Sequence, residues 1–452
     1  MGKNVRKSKS YKVHGPENLL GIQDKGKYSR KKRIFNQIFS EAAIRGYEPK
    51  VLERVEEFCA TMMPKSTATE KDGGWSESKN MSPWCKSSIF STFRALLLTV
   101  LNVGNYLTLD IITSVVFTTT WSLLSSPLNR GVIETSATVV YLIGVIHQSA
   151  WLYTYKILIL IFFPKRAKSI PALRKYTLSI MAASMEAREK GPELKDAFAQ
   201  LLQAKDPESK SGEGLAHADV RINSSNLLVA GSDTSSSALA ATFFYLSHNV
   251  DAYEKVASEV RDAFESSDAI RSGPVLNSCV YLRAAINEAM RLSPVVAQPL
   301  WREVESGGAM IAGQKIPAGY NVGAGIFTLH HNADVFNSPY AYNIERWIVQ
   351  EGKGAEEEKA RIKACQRSFA PFSTGPRQCI AKNFAMMELL LTIANVIWRM
   401  DFEREGNLGG GGPEMGLGRE RKGEFQLKSH FTSHMEGPMI RFRKRNEVDD
   451  GN

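Results

Sequence analysis

The residues best equipped for chemistry are Phe372-Ser373-Thr374-Gly375-Pro376-Arg377-Gln378-Cys379-Ile380-Ala381, a loop that runs straight into a strongly helical segment. A thiol acts as a ligand or nucleophile only as the thiolate. Backbone N–H groups aimed at sulfur, a following helix N-terminus and shelter from water all hold it in that form. The decapeptide offers each of these. Gly375 permits a tight turn, Phe372 can shield the sulfur, and small Ala381 lets the helix approach a flat ring. Arg377 can pair with an acidic group on that ring. These residue types in this order suit an axial thiolate ligand to haem iron, with Cys379 on the metal and a propionate on Arg377. The alternative is a buried cysteine in an ordinary loop, which Phe372, Gly375 and Arg377 at their places disfavour.

Three other segments stand upstream of the loop, or lead into it. Ala230-Gly231-Ser232-Asp233-Thr234-Ser235 lies in a long apolar helical stretch, and Glu288-Ala289-Met290-Arg291 puts a carboxylate and a guanidinium on one helix face. Asn343-Ile344-Glu345-Arg346-Trp347 follows. With the cysteine loop, these segments resemble the cytochrome P-450 family in order and content, over nearly the whole chain. The resemblance implies haem b (iron protoporphyrin IX) as cofactor. It also implies an oxygen-activation site in which Gly231 leaves room for dioxygen, Thr234 bonds the oxygen or opens the helix locally, and Asp233 relays protons. Glu288, Arg291 and Arg346 would form a structural lock behind the loop rather than a catalytic group. Pro299-Leu300-Trp301-Arg302-Glu303-Val304 resembles a cavity-lining stretch whose Arg302 reaches a propionate. Tyr28-Ser29-Arg30-Lys31-Lys32-Arg33 resembles the family's Trp-x-x-x-Arg helix, so Lys32 or Arg33 would reach a propionate as well. Two departures stand out: Ala381 replaces a glycine, and Ile344 replaces a proline. The segments around Trp347, Phe372 and Phe425-Gln426-Leu427 are most similar to filamentous-fungal members, often of secondary metabolism.

The elements that must position these groups are mostly helical. The chain has 452 residues, of which 43% are hydrophobic, enough for a large core. The expected fold is mainly α with a small β component, read as one cytochrome P-450 domain over residues 1–452. Helical periodicity covers 105–200, with breaks near Pro127, Pro164 and Pro171, and then runs from about Ile222 to Leu292. Gly-rich punctuation over 303–328 predicts short strands, Lys382–Met400 a helix and Met439-Ile440-Arg441-Phe442 a last strand. Five widely spaced cysteines make neither a disulfide framework nor a zinc pair. The formal charge of +10 favours acidic partners or an anionic membrane surface, and without a recognition motif it does not point to nucleic acid. The apolar stretches 96–117 and 139–163 carry Asn102, Asn105, Asp110, His147, Gln148 and Lys156, so they read as buried or membrane-touching helices rather than spans.

Relative to the resemblance, the N-terminal anchor and the first helices and strands have no counterpart, which suggests an N-terminally truncated chain. An apolar insert over 86–104 follows Trp84-Cys85-Lys86-Ser87, whose codons can contain a splice-donor consensus. A translated unspliced intron is therefore expected there, and sequencing spliced messenger RNA decides it. The predicted activity is monooxygenation of a small apolar substrate with O2, driven by an NADPH-dependent flavoprotein reductase. Lys363, Arg367 and Arg377 would form its docking face, and the resemblance places the protein at the cytoplasmic face of the endoplasmic reticulum membrane with peripheral contact. Competing readings are an isomerase or dehydratase that works without O2, which Asp233-Thr234 disfavours, and a truncated, non-catalytic haem-binding product.

Overall fold

The computed structural model describes residues 4–15, 17–63, 75–76, 79–81, 103–149, 151–190, 196–350 and 354–445. The insert expected over 86–104 therefore lies outside the described residues, except for Val103 and Gly104. Helices dominate. In chain order they are α1 (Lys25–Ile38), α2 (Glu41–Met62), α3 (Val103–Phe117), α4 (Gly131–Gln148), α5 (Trp151–Thr154), α6 (Lys156–Phe162), α7 (Pro164–Ala167), α8 (Ser169–Lys190) and α9 (Ala197–Gln203). There follow α10 (His217–His248), α11 (Val250–Ala263), α12 (Pro274–Ser278), α13 (Val280–Leu292), α14 (Ile326–His330), α15 (Ala355–Ser368) and α16 (Lys382–Arg399). The helix starts follow local chemistry: the side chains of Asp24, Ser40 and Asp196 accept N–H bonds at the first turns of α1, α2 and α9. Pro171 does not break a helix as expected. It falls in the first turn of α8, where a missing N–H costs nothing.

The core is built around α10, against which α3, α13, α16 and α11 pack. Every residue of α3 is buried, so its polar groups need internal partners. Asp110 finds them in the Thr120 hydroxyl at 2.6 Å and the Leu124 N–H at 3.0 Å, which explains how an acid is tolerated in that apolar stretch.

The strands are short. β1 (Val5–Lys7) pairs antiparallel with β3 (Arg302–Val304), Lys7 opposite Arg302, and β3 pairs with β6 (Asn321–Val322). A second sheet has the order β2 (Lys79–Asn80), β10 (Met439–Lys444), β7 (Met400–Arg404). The hairpins β4–β5 (Ala309–Ile311, Gln314–Ile316) and β8–β9 (Lys428–Ser429, Ser433–His434) complete the set. The expected strands over 303–328 and 439–442 are thus present. So is one that was not expected, β1, which brings the N-terminal residues beside Arg302.

Candidate active site

The cysteine loop is shaped by its backbone. Gly375 has φ +75° and Ser373 φ +60°, the left-handed region where only glycine is free of steric cost. The Ser373 N–H donates to the Ala370 carbonyl at 2.9 Å, Gln378 N–H to Gly375 at 3.0 Å and Cys379 N–H to Phe372 at 2.9 Å. The loop thus folds back on itself and releases the chain into α16 with Ala381 at its N-cap. Cys379 presents exposed surface, although enough protein surrounds it for desolvation to raise its thiol pKa. The Ala381 N–H and the charge of Lys32 act in the other direction. The sulfur therefore faces an opening inside the fold, with one backbone donor and one cation already directed at it. Cys59, Cys279 and Cys365 are buried instead.

Beside this opening, positive charge accumulates. Arg377 donates to the Ile22 carbonyl at 2.9 Å and lies over the Tyr28 ring at 3.5 Å. Lys32 donates to the Pro376 carbonyl at 2.6 Å, and Arg302 to the Leu300 and Trp301 carbonyls at 2.8 and 3.0 Å. Lys7, which the sequence analysis missed, is buried and bonded to the Leu20 carbonyl at 2.6 Å. Burial, then Arg377, then Arg302 hold its pKa well below the ordinary lysine value. The Tyr11 hydroxyl is buried beside Arg302, whose charge opposes the rise in pKa that burial causes. Four cations bonded mainly to carbonyls thus gather near one buried hydroxyl. Of the two residues named for this end of α1, Arg33 makes a two-pronged contact with Asp206 at 3.0 and 3.1 Å, whereas Lys32 lies at the cysteine loop. Arg377 likewise turns inward, so it does not belong to a docking face with the exposed Lys363 and Arg367.

The second chemical group is carried by α10. Ala230 is exposed and Thr234 half-buried, whereas nearly all residues from 232 to 246 are buried. The Thr234 hydroxyl donates to the Ala230 carbonyl at 2.6 Å, and that of Thr108 in α3 to the Ser232 carbonyl at 3.0 Å. Ser236 and Ser237 both donate to the Asp233 carbonyl. Four hydroxyls thus bond the carbonyls of residues 230, 232 and 233, while α10 stays continuous from His217 to His248. Gly231 has a packing reason of its own, distinct from making room for dioxygen: a Cβ there would meet Ile112 of α3 at 2.9 Å. Asp233 is buried, its carboxylate bonded by the Thr432 hydroxyl from the β8–β9 turn. The surrounding wall is not purely apolar. His14 and His147 meet at 3.2 Å between their Nε2 atoms, and the Phe431 ring packs at a tilt against both.

Behind the cysteine loop, the lock is complete. Glu288 and Arg291 are 0% exposed and doubly bonded at 2.8 and 2.9 Å. Arg346 donates to Glu288 at 3.2 Å and the Trp347 indole N–H donates to the same carboxylate at 2.9 Å, while Arg291 also donates to the carbonyls of His330, Pro339 and Ala341. Ile344, where the family has proline, is buried in a single 3-10 turn capped by the Asn343 side chain, so the turn is held without the ring. His330 carries the lock into the cysteine loop. The Ala370 N–H donates to its Nε2 at 2.9 Å, which leaves Nδ1 to donate to the Arg291 carbonyl at 3.1 Å. Burial drops its pKa to about 3, so the imidazole stays neutral and keeps both roles. Nothing in the sequence singled out His330, because its role depends on contacts some 40 residues away on either side.

The family profile for cytochrome P-450 matches residues 8–408. The chain is 35% identical to the cytochrome P-450 monooxygenase AKT7 of Alternaria alternata, covering 98% of this chain and 81% of that one. It is 34% identical to poxM of Penicillium oxalicum, covering 98% and 78%. A monooxygenase of Gibberella zeae is 35% identical over 98% of this chain and 96% of its own. The fold matches the crystal structure of the cytochrome P450DA haem domain with TM-score 0.72 at 17% identity, covering 98% of this chain and 84% of that one. The chain belongs to the cytochrome P-450 family, as an oxidoreductase of the monooxygenase type. Membership implies a haem. The residues present fit one, since an accessible thiol and a surplus of cations share the same opening.

Proposed function

We propose that the protein uses haem b to insert one atom of O2 into a small apolar organic substrate, with electrons from a separate NADPH-dependent flavoprotein reductase. The supporting observation is the pairing of two elements. Cys379 faces an opening within a cationic rim, and α10 presents Thr234 and Asp233 at a turn whose carbonyls accept side-chain hydroxyls. Held there, the haem supplies oxygen binding and thiolate-assisted activation. The protein's part is positioning and proton supply. Lys7, Lys32, Arg302 and Arg377 would hold the propionates, Thr234 orients a hydroxyl toward the opening, and Asp233 stores a proton-transfer group beside it. The exposed Lys363 and Arg367, one turn apart on α15, suit an acidic reductase surface.

Thr234→Ala tests this reading. It removes the hydroxyl but not the fold, so NADPH consumption should continue while product per NADPH falls roughly tenfold or more. Hydrogen peroxide assays report the difference. Unchanged product yield would favour the isomerase or dehydratase reading.

The proposed location is the cytoplasmic face of the endoplasmic reticulum membrane. No helix of the described residues is long and apolar enough to cross a bilayer. However, α5, α6 and the residue between them expose Trp151, Tyr155, Ile157, Leu160, Ile161 and Phe162, with Phe162 60% accessible. The exposed cations Lys168, Arg174 and Lys175 follow. An apolar patch next to positive charge suits insertion among anionic headgroups. Ile161→Glu with Phe162→Glu should abolish co-flotation with phosphatidylserine-containing vesicles; retained flotation would assign the contact elsewhere.

A further inference from the structure

One buried acid takes no part in the chemistry described so far. Glu388 lies in the middle of α16, is 2% exposed, and is followed by buried Leu389, Leu390 and Leu391. Ser235 of α10 donates its hydroxyl to the Glu388 Oε2 at 2.6 Å. Ser235 is itself buried and adjoins Thr234. One turn further along α16, the buried Thr392 hydroxyl has no partner. A leucine would fill the Glu388 position more cheaply than an acid. The acid instead joins the two helices that matter most: α16, which begins at the cysteine loop, and α10, which carries the Asp233–Thr234 turn.

We infer that Glu388 is a positioning residue, whose carboxyl pins Ser235 and so fixes the Asp233–Thr234 turn of α10 against the helix that starts behind Cys379. The inference rests on the proposed role of that turn in oxygen activation. The carboxyl does this work protonated, since burial raises its pKa to about 8 with the Ser235 hydroxyl opposing. Of the elements packed on α16, α10 supplies Ser235; α2, α11, α13 and β7 supply no charged group that contributes to its shift. The sign follows: an acid raised in the fold stabilises below its unfolded pKa and loses that contribution as pH rises through the folded value. The tie should therefore loosen as pH rises through about 8.

The test compares the haem-loaded wild type with Glu388→Gln and Glu388→Leu. Infrared difference spectra should contain the carbonyl stretch of a protonated acid that Glu388→Gln removes and that fades through the same pH window. Hydrogen peroxide released per NADPH, with reductase and O2 present, should rise in the wild type over that window. In Glu388→Gln, which cannot ionise yet still bonds Ser235, release should stay low and flat. Glu388→Leu should release on the order of fivefold more at every pH, the size of one net hydrogen bond, with the reduced-plus-CO spectrum unchanged. If Glu388→Leu does not fold, Ser235→Ala replaces it with the same expectation. The inference fails if no acid band is lost in Glu388→Gln, if Glu388→Gln leaks as Glu388→Leu does, or if the pH-dependent rise persists in Glu388→Gln. The infrared signal does not depend on turnover, so it survives a failure of the oxygenase reading itself.

Discussion

Glu288→Ala should leave almost no correctly folded, haem-loaded protein. The Glu288 carboxylate receives Arg291, Arg346, the Trp347 indole and the Asn343 N–H. Removing it strands two buried guanidinium groups. Breaking a buried ion pair from one side costs about 3–5 kcal/mol, and here two cations lose their partner at once. Domain stabilities are only about 5–15 kcal/mol, so the loss reaches the whole fold. The damage should travel to the cysteine loop along Arg291, His330 and Ala370, which are joined by successive hydrogen bonds. The denaturation midpoint and the haem-to-protein ratio measure it. Arg45→Ala is the control: Arg45 pairs with Glu41 on an exposed helix surface, where such pairs contribute about 1 kcal/mol or less. Near-equal effects of the two variants would mean that Glu288 is not a keystone.

Arg302→Ala combined with Arg377→Ala should release haem on the order of a hundredfold faster than the wild type or more. Each guanidinium would contribute a charge-assisted bond to a propionate, and each such bond contributes about 1.5–3 kcal/mol. The same cations repel one another and Lys7, whose pKa they depress after burial has done so. Two negative propionates relieve that repulsion, so the haem-free protein should lose little stability from the double change. Transfer of haem to excess apomyoglobin gives the rate. Arg33→Ala serves as the control, because Arg33 is engaged by Asp206. A faster rate in that variant, or none in the double variant, would remove the propionate assignment.

How much of this was legible in the sequence depended on whether a residue acts through neighbours in the chain or through distant ones. The cysteine loop could be read because its parts lie within ten residues and each has a local reason, such as the left-handed Gly375. Glu288 and Arg291 were legible as a one-turn helix pair. Lys7, Tyr11 and His330 were not, since their meaning comes from strand pairing or loop contacts hundreds or tens of residues away. The Arg33 ambiguity has the same origin: only the position of Asp206 separates it from Lys32. Ser373 was invisible for another reason, because a serine at φ +60° is held by the surrounding loop and not by its own preference. Pro171 was misread because proline both ends and begins helices, and the sequence alone does not say which.

The reduced-plus-CO difference spectrum of the purified, haem-reconstituted protein, taken beside Cys379→Ser, probes the sulfur–iron assignment most directly. The wild type should give the red-shifted band of a thiolate-ligated haem, and Cys379→Ser should lose that band even where some haem is retained. The same red-shifted band from both proteins, or no haem uptake by the wild type, would contradict it.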